Sequence, residues 1–186
     1  MAAERGCAQV GGIVNISIVQ KKEFESAART ANFPETRSPG NLEILGPRAI
    51  PYDFGVTSAS YFSSYFQAQL FPSGALIRFD EWGIWASTEF PELWDAILLS
   101  SGCRDFKMTE TVVADASATR AILLYSVLVC WSVAFVSKDG PNYFYADHDE
   151  MFWYSAKDAE LDREIEEQVN ENLTSARFTG WVVQDD

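Results

Sequence analysis

The segment AILLYSVLVCWSVAFV, residues 121 to 136, constrains the fold of this chain more than any other. It is apolar apart from two serines and a tyrosine hydroxyl, so it has to be buried in a protein core or a membrane. As one helix it would reach about 24 Å, short of the roughly 30 Å hydrocarbon layer. Its second half is rich in β-branched and aromatic residues, which favours a buried strand following a helix. The segment is therefore read as the centre of a core, and no membrane partner is expected.

The flanking sequence supplies elements to pack around that centre. GIVNISIVQ, residues 12 to 20, alternates Ile and Val with polar residues and predicts a strand. KKEFESAARTANF predicts a helix that stops before Pro34. Four prolines and two glycines between Pro34 and Pro51 mark a long connection. Ser58 or Ser60 is expected to cap a short aromatic helix, SYFSSYFQAQL, that stops at Pro72. ALIRFDEWGIW then predicts a strand or hairpin, and Thr88 a helix through FPELWDAILLSSG closed by Gly102. Asp115 or Ser117 is expected to begin a further helix, ASATRAILLYS. Lys138 to Asn142 carries the strongest turn signal, with NYFYA returning as the partner strand of a hairpin. Ser155 and Asp158 form a capping-box-like start, SAKD, for the last long helix, and RFTGWVV is expected as an edge strand.

This order mixes hairpins with helices and lacks the steady βαβ alternation of a parallel doubly wound sheet. The expected class is α+β, with a mainly antiparallel mixed sheet packed by three to five helices. A single globular domain is expected over residues 1–186, with residues 1–10 and parts of 34–51 flexible.

Charge narrows the function. Twenty-seven acidic residues against 14 basic ones give a net charge of −13, a field that repels phosphate backbones and anionic membranes. No basic cluster exceeds Lys21-Lys22, so nucleic acid is excluded as a partner and a basic protein fits better. Cys7, Cys103 and Cys130 form no CxxC pair, which argues against a disulfide framework and a structural zinc site. The start MAAERGCAQVGG lacks the apolar run of a secretory signal, so a cytoplasmic location is expected. Gly11-Gly12 precedes a strand rather than following one, and no phosphate-loop pattern occurs. No cofactor is expected.

Two stretches remain as candidate sites. FYADHDEMFWY, residues 144 to 154, holds the only histidine, His148, among Asp147, Asp149 and Glu150. No second histidine exists for a zinc site, and Phe152 occupies the glycine position of a calcium loop starting at Asp147. No metal is expected there. His148, oriented by Asp147 or Asp149, has the composition of a hydrolase base, with Cys103, Cys130 or a serine as nucleophile. No nucleophile motif such as GxSxG accompanies it, and flanking carboxylates suit an ion pair better than a base. A solvated acidic turn leading into an acidic helix is the expectation.

The other stretch is FDEWGIWASTEF, where Trp82 and Trp85 stand among acids as aromatic anchors do at binding hot spots. In SAKDAELDREIEEQVNENL, Leu161, Ile165, Val169 and Leu173 form one apolar row of an amphipathic helix. From Asp158 to Glu171 the same helix carries seven acids against Arg163 alone. Like charges cost helix stability unless a cationic partner offsets them. The sequence is thus read as an acidic protein-binding protein of the inhibitor or immunity type, neutralising a basic toxin or nuclease domain. Its contact residues are expected to be Trp82, Trp85, Asp147, Asp149, Glu150, Asp158, Glu160, Glu164 and Glu167. The alternatives are a small hydrolase built on His148, or a non-catalytic subunit exposing a broad apolar patch.

Overall fold

A computed structural model describes residues 16–33, 50–51, 56–81, 111–128, 131–148 and 151–175. In chain order these form β1 (Ile16–Val19), α1 (Lys21–Thr30), β2 (Ile50–Pro51), α2 (Val56–Leu70), β3 (Ala75–Glu81) and β4 (Thr111–Ala114). They continue as α3 (Ala116–Leu128), β5 (Ser132–Ser137), β6 (Tyr143–Asp147), β7 (Met151–Ser155) and α4 (Ala159–Ser175). The strands join one sheet in the order β1-β4-β3-β5-β6-β7-β2. Every pairing is antiparallel. The mixed α and β composition and the antiparallel sheet are those the sequence predicts.

Segment 121–136 divides between α3 and β5, and among the described residues no helix is long and apolar enough to cross a membrane. The reason for its continuous apolar character lies in the two faces of the sheet. Side chains alternate across a strand, and Val133 and Phe135 enter one core cluster while Ala134 and Val136 enter a second. In β6, Phe144 and Ala146 join the first cluster and Tyr143 and Tyr145 the second. A strand buried on both faces has no polar side to alternate with. Burying one phenylalanine fully contributes about 1.5–3 kcal/mol, and Phe135 and Phe144 both lie in this centre.

The first cluster is covered by α2, α3 and α4, through Phe62, Phe66, Ile122, Leu123, Ile165 and Val169 among others. The second is covered by α1, where Phe24 and Ala28, one turn apart, face the sheet. That helix ends in a Schellman motif: Phe33 N–H donates to Ala28 O at 2.8 Å and Asn32 N–H to Arg29 O at 3.2 Å. Asn32 takes the left-handed conformation this needs, with φ 53°. The motif turns Phe33 back onto the second cluster, edge-on to Phe24 at 6.0 Å and to Tyr143 at 5.3 Å. Arg78 closes the rim of this cluster, its guanidinium 4.7 Å from the Phe24 ring centre and forked onto Asp80 at 2.6 and 3.1 Å.

Several local expectations are corrected. Ser58 and Ser60 do not cap α2, which starts at Val56. Instead Ser63 and Ser64 bond back onto Ser60 O at 3.1 and 2.8 Å, inside the helix. Of the two candidate caps for α3, Asp115 serves, accepting Ala118 N–H at 2.8 Å. Ser155 belongs to β7, and Asp158 caps α4 through Glu160 N–H at 2.8 Å. Strands β4 and β7 are absent from the predicted order. Gly74 turns the chain from α2 into β3 with φ +98°, where a Cβ would collide with the backbone oxygen of Ala114. The predicted helix from Thr88 to Gly102, the RFTGWVV strand, residues 1–10, and 34–49 of the long connection lie outside the described residues.

Candidate functional site

The sole histidine sits where β6 turns into β7. Asp147 pairs with Met151 across the sheet, and His148 follows directly on β6. The unexpected participant is Ser132 at the start of β5, fully buried. Its Oγ accepts the backbone N–H of His148 at 3.2 Å and lies 2.9 Å from the ring Nδ1. Asp147 Oδ1 approaches the same Nδ1 at 3.2 Å. The His148 side chain is 41% exposed and that of Asp147 18%.

A serine-histidine-aspartate relay needs the nucleophile on one ring nitrogen and the carboxylate on the other. Here serine and carboxylate meet the same nitrogen, and the serine hydroxyl is closed off from solvent. Ser132 therefore has the geometry of a latch that ties His148, at the end of β6, to the neighbouring strand, not of a nucleophile. Among the described residues no group of three or more His, Cys, Asp or Glu side chains is gathered to hold a metal ion. Asp149, Glu150, Cys103 and Cys130 lie outside the described residues, as do Trp82 and Trp85.

The second candidate is the outer side of α4. Its buried row is Ile165 and Val169, with Leu161 partly buried against the same cluster. Turned away from that row, Asp158, Glu160, Asp162, Glu164, Glu167 and Glu171 are all exposed. Asp158 and Asp162 also accept backbone N–H groups, Asp162 from Ala156 at 3.3 Å. These carboxylates suit the positive end of the helix dipole. Arg163 reaches Glu167 at 2.6 Å. Among the described residues neither Glu160 nor Glu164 makes an ion pair.

Two tyrosines of α2 stand beside this surface, and they were not among the predicted site residues. Tyr61 is 45% exposed, and its hydroxyl donates to Gln168 Oε1 of α4 at 3.3 Å. Tyr65 is partly buried, and its hydroxyl is pushed above its ordinary value by burial first, then by Tyr61 and Glu164. Tyr143 on β6 is raised likewise, by burial first and then by Asp162. The acids of α4 thus reach the side chains of α2 and β6 as well as solvent. The spacing of Tyr61 and Tyr65, one helical turn apart, was visible in SYFSSYFQAQL. Nothing in it marked which side of the helix would be left uncovered.

No protein-family model, curated protein or solved structure matches this chain.

Proposed function

We propose that this chain is an acidic protein-binding protein of the inhibitor or immunity type, and that α4 presents its outer carboxylates to a basic partner such as a toxin or nuclease domain. One observation carries the reading: five exposed acids on α4, with the capping Asp158 before it, stand against Arg163, which is already paired with Glu167. A surface of one sign accelerates encounter with an oppositely charged partner and discriminates against like-charged ones. Glu160, Glu164 and Glu167 are the contact residues on the helix, with Asp147, Asp149 and Glu150 extending the field, and Trp82 or Trp85 supplies a desolvated anchor. In this reading the protein acts in the cytoplasm on a protein, not on nucleic acid.

The hydrolase alternative, with His148 oriented by Asp147 or Asp149, has weaker support, because Ser132 and Asp147 share Nδ1. A pull-down from the native cell at low and at high salt tests the reading. A basic protein retained at low salt and released at high salt is expected, since exposed charges more than about 10 Å apart are screened at 0.1 M. Partners that are acidic, or indifferent to salt, would count against it.

A further inference from the structure

Tyr61 is, with Ile18 on β1, one of two large apolar side chains left exposed among the described residues. Its ring is held in place from three sides. It stacks on Tyr65 with centres 6.2 Å apart and planes 12° from parallel. It meets the buried Phe62 edge-on at 5.7 Å, and its hydroxyl is tethered to Gln168. Tyr65 is braced in the same way by Phe66, edge-on at 6.1 Å. Gln168 in turn donates to Glu171 Oε2 at 3.4 Å.

Residues three and four apart on a helix are neighbours, so Glu164 and Glu171 flank Gln168, the residue Tyr61 touches. An aromatic pair with fixed planes is thereby framed by two exposed carboxylates from the facing helix. We infer that the Tyr61–Tyr65 pair, framed by Glu164 and Glu171, is the seat for an arginine side chain of the basic partner. This inference rests on the protein-binding reading above.

Arginine fits on three counts. Its planar guanidinium stacks on an aromatic face, it forks onto carboxylates, and it sheds water more readily than an ammonium. An apolar anchor would leave both carboxylates facing it without compensation. A lysine would use the charge but not the plane of the ring. The effect of Glu164 on the Tyr65 hydroxyl places that carboxylate within electrostatic reach of the pair.

The test is a fluorescence-anisotropy titration of the whole protein with labelled oligo-arginine and oligo-lysine peptides of equal length. Oligo-arginine is expected to bind on the order of twofold tighter, because both cations are drawn to an exposed ring face and the stacked guanidinium gains only part of that contact in addition. Tyr61→Ala should abolish that preference and Tyr61→Phe should keep it, while Glu164→Gln weakens both peptides. Circular dichroism of the exposed-site variants confirms that the fold is intact. Equal affinity for the two peptides, unchanged by Tyr61→Ala, would overturn the arginine seat while leaving the acidic-surface reading standing. No binding of either peptide would overturn both.

Discussion

Replacing Ser132 by alanine removes two contacts to His148 at once, the acceptor for its backbone N–H and the 2.9 Å neighbour of Nδ1. Water can reach the half-exposed ring more easily than it can enter the buried site of Ser132. The cost is therefore mainly that of leaving the amide without its acceptor, about 1–2 kcal/mol. Urea unfolding of Ser132→Ala should show a lower midpoint with an unchanged slope; an unchanged midpoint would mean that the latch stabilises nothing. This residue was illegible in the sequence because its partner is 16 positions away and meets it only through the β5–β6 register, with Val133 opposite Ala146. His148 was legible as a candidate with Asp147 or Asp149 beside it, and in the structure Asp147 Oδ1 lies 3.2 Å from its Nδ1. What the local pattern could not show was that serine and aspartate would converge on one nitrogen. Asp115 and Asp158 illustrate the opposite case: capping is a local bond over two or three residues, so the chain around them carried the information. Even there the SAKD pattern suggested Ser155 as the cap, and β7 had already claimed that residue for the sheet.

Elements announced by local composition or by turn residues were the readable ones. The helical composition of KKEFESAARTANF and the turn residues between β5 and β6 predict both features where they occur. Strand β5 was recognised from its β-branched content, not its period, since all six residues of SVAFVS are buried. Strands β4 and β7 were missed for related reasons. TVVA and MFWYS are four and five residues long, and neither is set off by strong turn residues. Both pair with strands distant in sequence, β4 with β1 and β3, and β7 with β2. Tyr143 and Tyr65 are both raised above the ordinary tyrosine value of 10.0, chiefly by burial and secondarily by neighbours that include Asp162 and Glu164 respectively. The folded chain therefore keeps these protons after the unfolded chain has released them. Their contribution to stability is complete below about pH 10 and is lost as pH rises through the folded values. Unfolding midpoints should fall above that pH, and less steeply in Tyr143→Phe, with tyrosinate absorbance following the loss. An alkaline limb identical in the variant would contradict the placement.

At the scale of the whole molecule, a net charge of −13 on 186 residues meets a core with two apolar faces. The antiparallel sheet needs helices on both sides, and α4 closes the first face with a narrow apolar row. That leaves the rest of the helix to solvent, and there the chain places carboxylates where a mixed surface would serve solubility equally well. The proposed role of this outer face of α4 is to receive a basic partner. The most direct measurement is the affinity of that partner, captured by pull-down, for the native chain and for a Glu160→Gln/Glu164→Gln/Glu171→Gln variant across a salt series. Tight binding that weakens steeply with salt is expected in the native chain, and weaker binding with a shallower salt dependence in the variant. Equal affinity and equal salt dependence in the two proteins would contradict it.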